Sequence, residues 1–290
     1  MPLKRKEKMV GWVFIIPAVA MLALTSFYPM IQAIILSFFK SNGVISEFIG
    51  FDNYTKILQD RIFLQAMKNN FFYLIFQVPV MLLLALILAV MLNDKNLKFK
   101  GLFRTAIFLP CATSLASYAI IFSTLFQVDG YVNTMLVKLN LVAEPIRFFN
   151  DPLMAKIIII VAIIWRWTGY NMVFYLAGLQ NIDSAIYEAA KIDGANAFKS
   201  FFLITIPLLQ PLIVLTAIMS TNGTLQLYEE SVNLTMGGPA NQTITMSHYI
   251  YNTSFVNSPQ LGYASAMSVI ILVLVSTLAL LQMKVGDKRD

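Results

Sequence analysis

Apolar residues in this chain gather into six long runs, and the segments between them are polar or basic. The cores of the runs lie near 12–39, 71–92, 105–126, 157–179, 202–225 and 261–283, each long enough to cross hydrocarbon, which takes about 20 residues of α-helix. A backbone in lipid finds no water to bond, so runs of this length without alternation form helices. The pattern predicts an all-α polytopic membrane protein with six transmembrane helices. Pro207, Pro211, Asn222 and Gly223 fall in the fifth run and predict an interrupted helix there. The first run follows Lys4-Arg5-Lys6-Glu7-Lys8. It is too long for a signal-peptide core of about 7 to 15 residues and lacks a small-x-small cleavage site, so it reads as a retained anchor.

Composition agrees with the pattern. Hydrophobic residues make up 58% of the 290 and charged residues 12%, against roughly a quarter charged in soluble domains. The net charge of +6 takes its meaning from where the basic residues fall. With both termini in the cytoplasm, the inner segments carry Lys4, Arg5, Lys6, Lys8, Lys95, Lys98, Lys100, Arg104, Lys191, Lys199, Lys284, Lys288 and Arg289. The outer segments carry Lys40, Lys56, Arg61, Lys68, Lys138, Arg147 and Lys156. This is the positive-inside bias, and no basic motif of a nucleic-acid binder accompanies it. Outside, Phe48-Ile49-Gly50-Phe51-Asp52-Asn53-Tyr54 suits a small lid at the membrane surface, and Gly237-Gly238-Pro239 and Asn257-Ser258-Pro259 predict turns in a docking surface of loops.

Chemistry in the protein's own side chains is sparse. One histidine, one cysteine and no carboxylate cluster within the runs leave no metal site and no nucleophile paired with a base. His248 is expected as an exposed residue of an outer loop, and Cys111 as a small buried hydrophobe. Neither a phosphate-cradling loop nor a dinucleotide fingerprint is present. The chain is therefore read as non-catalytic, with no cofactor of its own.

Arg166, between Trp165 and Trp167, is a charge in the middle of the fourth run. Such a residue faces a bundle interior or a watery path, and the alternative is a structural arginine bonding backbone carbonyls or snorkelling outward. Trp165, Trp167 and Tyr170 offer faces that suit sugar rings, although tryptophan also favours membrane interfaces. In the fifth run, Ser220, Thr224 and Leu227 are spaced for one helical face, with Gln226 and Tyr228 beside it. Uncharged donors and acceptors next to aromatic rings favour a neutral polyhydroxylated solute. The competing reading is that Ser and Thr tie helices together.

Residues 180–201 are too many for a tight turn between the fourth and fifth runs. Asp183 or Ser184 caps a helix whose one face holds Ile186, Ala189 and Ala190. Gly194 breaks it, and a second helix returns through Phe198, Phe201 and Phe202 to a kink at Pro207. Here the chain resembles a known family. Glu188-Ala189-Ala190, three residues, Gly194, nine residues and Ile204-x-x-Pro207 match the signature loop of permease subunits of binding-protein-dependent ABC importers. Phe14-Ile15-Ile16-Pro17, Tyr28-Pro29, Phe103-Arg104, Phe108-Leu109-Pro110, Ala177-Gly178-Leu179-Gln180 and Leu261-Gly262-Tyr263-Ala264-Ser265-Ala266, with the lid and Gly-Gly-Pro segments above, are similar to the carbohydrate-uptake branch, of the maltose-permease F-subunit type. Ile206 stands where that family usually has leucine.

The resemblance implies a type I ABC importer permease fold in a bacterial or archaeal plasma membrane. Residues 1–66 would hold the cytoplasmic N-terminus, first helix and outer loop, 67–284 the importer transmembrane domain with a coupling loop at about 180–202, and 285–290 a cytoplasmic tail. It implies a second homologous permease, two ATPase subunits that bind ATP and Mg, and an extracytoplasmic solute-binding protein as partners. Glu188, Ala189, Ala190, Asp193, Gly194, Ile204 and Pro207 would belong to the coupling to the ATPases. Positions corresponding to sugar contacts fall near Ser220, Thr224, Gln226 and Leu227, and near Gly169 and Asn171. These side chains differ from the asparagine-rich maltose pattern, so the identity of the sugar is not carried over. Arg166 keeps an anionic solute such as glycerol phosphate open, and a secondary transporter or channel is the rival class, though neither of those has a use for the 188–207 loop.

Overall fold

The computed structural model describes residues 5–94 and 96–286. Lys4, Lys95, Lys288 and Arg289, which entered the orientation argument, lie outside the described residues, as do residues 287–290 of the tail. The chain divides into two compact units, Met1–Asp60 with Ile250–Leu272 and Arg61–Tyr249 with Val273–Asp290. Six stretches among the described residues are long and apolar enough to span a membrane.

In the first unit, α1 (Arg5–Leu22) continues through a π-helical turn, Ala23–Phe27, into α2 (Tyr28–Leu36). Pro29 has no amide to give to the preceding turn, and the widened turn, closed by the Tyr28 amide on the Ala23 carbonyl, sits directly before it. A hairpin of β1 (Phe39–Ser41) and β2 (Ser46–Phe48) follows, with Phe39 opposite Phe48. Then comes α3 (Asp52–Gln59), whose Asn53 donates to the carbonyls of Ser37 and Phe39 at 2.8 and 3.0 Å. Phe38, Phe51 and Tyr54 pack ring against ring, so the aromatic run expected as a lid folds as a small hairpin-and-helix cap. The start of α14 (Leu261–Gly286) lies against β1, where a Cβ on Gly262 would fall 1.8 Å from the Phe39 carbonyl oxygen.

The second unit is built on α4 (Arg61–Asn93) and α8 (Pro152–Gln180). Ala85, Leu86, Ala89 and Leu92 of α4 pack on Met172, Tyr175, Leu176 and Leu179 of α8 and on Leu209 of α11 (Ile206–Leu225). Lipid is as apolar as leucine, so these contacts owe their stability to close packing and hydrogen bonds rather than to burial from water. Small alanines allow the approach. A polar bond ties the helices as well, Tyr175 to Thr216 at 2.7 Å. Gln282, on the C-terminal part of α14, donates to Thr221 at 2.8 Å.

The third run is two helices. α5 (Lys100–Ala112) stops at Thr113 and α6 (Leu115–Phe126) starts after Ser114, whose hydroxyl caps the Ser117 amide at 3.2 Å. Thr113 turns its amide and hydroxyl back onto the Pro110 carbonyl. Local side-chain bonding outcompetes helix continuation here, and the spanning stretch begins at Leu115, running through α6 and α7 (Tyr131–Lys138). The fifth run differs in the opposite sense. Asn222 and Gly223 remain helical in α11, and the irregularity lies ahead of it, in the π-helical turn Phe201–Thr205 that precedes Pro207.

The segment after α11 holds α12 (Glu229–Thr235) and α13 (Met246–Tyr251), more ordered than the turns expected. Its anchor is His248. Expected exposed, it is buried, with Nδ1 2.9 Å from the Ser231 hydroxyl, and burial lowers its pKa. Gly237 beside it takes a φ of +77°, a conformation glycine adopts without a Cβ penalty.

Candidate functional site

α4 carries a polar stripe that organises the end of α11. Asn70 donates to the carbonyls of Thr224 and Leu225 at 2.8 and 3.1 Å and accepts from the Met246 amide. It thereby satisfies carbonyls that a helix terminus leaves open. Asn69 bonds the Ile244 carbonyl, and Gln77 accepts from the Thr224 hydroxyl at 2.8 Å. The chain beyond Leu225 is thus turned across the bundle, and a cavity of about 760 Å³ opens beneath the turn. This lies within the range of roughly 300–1,000 Å³ typical of small-molecule sites.

Five helices and the turn contribute its wall, with Cys111 of α5 half-buried on it rather than fully buried as expected. Trp167, Tyr170 and Asn171 come from α8, Gln77 and Met81 from α4, and Leu115 from α6. Ser220, Gly223 and Thr224 come from α11, and Gln226 to Glu230 from the chain that follows. Trp167 and Tyr170 meet edge to face at 5.6 Å. The lining mixes amide, hydroxyl, thiol, thioether, aliphatic and aromatic groups with two carboxyl groups, and among the described residues that form it none is Lys or Arg.

Arg166 and Gly169 do not line the cavity. An added Cβ on Gly169 would lie 2.0 Å from the Ile107 carbonyl oxygen, so its role is to let the α5 backbone press on α8. Arg166 is buried behind the wall, its guanidinium 5.0 Å from the Tyr118 ring and 5.6 Å from the Trp167 ring. Its Nε and Nη1 have no hydrogen-bond partner. Each such group costs about 1–3 kcal/mol in a buried setting. Arg166 and Tyr118 face Glu230, which is buried yet touches the cavity. Burial raises the Glu230 pKa, and its own amide, a hydrogen bond from Tyr118 and the charge of Arg166 offset only part of that rise.

The loop between the fourth and fifth spans forms α9 (Ser184–Ile192), capped by Asp183 on the Ala185 amide at 2.9 Å. Gly194 at φ +78° ends it, with the Ala195 amide reaching the Ala190 carbonyl at 2.8 Å, the closure of a Schellman motif. Asn196 caps the four-residue helix α10 (Ala197–Ser200) that leads into the π-helical turn. Glu188 and Ala189 point outward, and Ile186, Ile192 and Phe198 are exposed at 42%, 87% and 70%. Tyr187 faces inward and meets the Thr205 hydroxyl at 3.0 Å, so α9 rests on the π-helical turn. Ile204 is half-buried within that turn and Pro207 opens α11, which places both one structural step behind the exposed helix.

Residues 61–289 match the family described as binding-protein-dependent transport system inner membrane component. The chain belongs to that family. The inner membrane component is 47% identical over 289 residues to the lactose transport system permease protein LacF of Rhizobium radiobacter, covering 99% of this chain and 97% of the relative. It is 32% identical to the arabinooligosaccharides transport system permease protein AraP of Halalkalibacterium halodurans, over 96% and 87% of the two chains. A chain of a crystal structure of a bacterial alginate ABC transporter, in complex with an alginate pentasaccharide-bound periplasmic protein, matches with a TM-score of 0.85 over 98% of this chain and 96% of that one, at 23% identity. That likeness is one of fold.

Six of the eight residues expected on the solute path, Asn171, Ser220, Thr224, Gln226, Leu227 and Tyr228, line the cavity of this inner membrane component. Leu227 and Tyr228 do so from beyond the helix, since α11 ends at Leu225. The Thr224 hydroxyl is also bonded to Gln77 and to the Ser220 carbonyl, so it ties α11 to α4 as well as bordering the cavity. Gln77, Glu229 and Glu230 were not singled out from sequence. An amide inside the apolar run around Phe76 and Val78, and an acidic pair directly after Tyr228, are the signals that mark them.

Proposed function

We propose that this permease forms half of the translocation path of an ABC importer for a neutral sugar or oligosaccharide, delivered by an extracytoplasmic binding protein. The observation that carries the reading is the cavity itself, where Gln226, Asn171 and Ser220 meet Trp167 and Tyr170. Amides and hydroxyls match sugar hydroxyls, and ring faces match the apolar face of a pyranose. The names of the relatives, for lactose and for arabinooligosaccharides, point to the same solute class. An anionic solute is the weaker reading, because Arg166 sits behind the wall and the charged residues on the lining are Glu229 and Glu230.

In this reading a second, homologous permease supplies the other half of the path. Two ATPase subunits, which hold ATP and Mg, receive the exposed face of α9. Both termini and α9 lie in the cytoplasm, as the basic residues require, and closure of the ATPases swings the spans between inward- and outward-open states. The test is uptake of radiolabelled lactose by proteoliposomes holding the whole transporter with its binding protein. Tyr170→Ala combined with Gln226→Ala is expected to lower uptake by about tenfold or more with assembly intact. Uptake equal to wild type in the double variant overturns the reading.

A further inference from the structure

On the reading that the cavity carries a sugar, we infer that Glu230 is a solute-selecting carboxylate, accepting hydrogen bonds from the hydroxyls of a neutral sugar and turning away sugars that carry an acid group.

The geometry reserves this group for a ligand. Glu230 is 4% exposed and lies on the cavity wall. Behind it are Arg166, 6% exposed, whose Nε and Nη1 have no partner, and Tyr118, fully buried, whose hydroxyl lies toward Glu230. Burial raises the Glu230 pKa and the charge of Arg166 acts against that rise, so the charged carboxylate depends on the arginine behind it. The positive charge is thereby kept off the cavity surface while the negative one is presented to it. Glu229 adds a second carboxyl group to the same wall.

Part of the neighbouring acceptor capacity is already in use. Gln77 Oε1 takes the Thr224 hydroxyl, the Ser220 carbonyl takes it too, and Asn222 Oδ1 takes Gln226 Nε2. An ionised carboxylate accepts only, so sugar hydroxyls, which donate, find their strongest partner at Glu230. A carboxylate or phosphate on the solute meets like charge in a poorly solvated pocket, where the penalty is large enough for about tenfold or greater discrimination.

The experiment uses the purified complete transporter in detergent and saturation-transfer NMR, which detects weak sugar binding. The probes are lactose and lactobionate, its acid counterpart. Wild type is expected to show lactose in clear excess over lactobionate, by about tenfold. Glu230→Gln is expected to weaken lactose several-fold and bring the ratio toward one. Glu230→Asp, which keeps the charge at shorter reach, is expected to bind lactose more weakly yet still refuse lactobionate, and it serves as the test if the glutamine variant does not assemble. A wild-type ratio in Glu230→Gln, or wild-type lactose binding in Glu230→Asp, overturns the role of Glu230. Trp167→Ala separates this from the cavity reading. If it removes the lactose signal while the Glu230 variants do not, only the carboxylate's role falls, and if neither position matters, the sugar cavity falls with it.

Discussion

Gly169 and Gly223 are both glycines on spanning helices, and an added methyl group meets opposite surroundings at the two. At Gly169 it would enter the α5 backbone, 2.0 Å from the Ile107 carbonyl oxygen, whereas at Gly223 nothing lies within 4 Å. Backbone cannot yield as a flexible side chain can, so Gly169→Ala is expected to destabilise the fold by about 1–3 kcal/mol and to lower the melting temperature of the purified permease. Gly223→Ala is expected to leave it near wild type, any loss appearing in sugar uptake because Gly223 borders the cavity. Equal melting temperatures for the two variants contradict this packing. From sequence alone both residues stood near expected solute positions. Only the crossing of α5 over α8 tells them apart.

α9 shows how an element is legible while its setting is not. The cap at Asp183, the break at Gly194 and the outward-facing Glu188 and Ala189 all agree with the sequence pattern, because caps and left-handed glycines are local devices. The contact that gives the helix leverage is not local. Tyr187 meets Thr205 on the π-helical turn ahead of Pro207, so α9 is tied to the base of α11. Gly194→Pro forces φ to about −65° where the chain needs +78° and removes the amide bonded to Lys191. It is expected to abolish ATP-driven uptake, and Glu188→Lys to reduce it by about tenfold or more through charge reversal at the docking face. Normal uptake in both variants counts against coupling through this loop. The third span carries the opposite lesson. The apolar run at 105–126, read for its length, passed over the break at Thr113 and Ser114, because hydrophobicity reports length in lipid and not backbone path.

At the scale of the molecule, the basic residues orient the protein only if the loops lie where the charge bias puts them. Single cysteines placed in a Cys111→Ser background test this. Glu188→Cys is expected to react with a membrane-impermeant maleimide only after the cells are opened, and Asn241→Cys, exposed in the segment after α12, to react in intact spheroplasts. The reverse pattern inverts the proposed topology. The second unit also shows why the cavity was only partly readable. Asn69, Asn70 and Gln77 lie on a helix whose start the apolar pattern placed later than Arg61, and their partners, Ile244, Met246 and Thr224, are more than a hundred residues away along the chain.

What the sequence determined by itself was what depends on local and solvent-scale physics. Six apolar runs set helices in lipid, and capping residues set α9. The tertiary structure decided which polar groups share a space. Arg166, expected to face solute or stand as structure, lies buried beside Glu230, a residue outside the spans that met it only when α12 was folded back against α6 and α8. Burial and partnership are properties of packed surfaces, and a carboxyl group whose neighbours come from distant helices carries no mark of them in its own segment of chain.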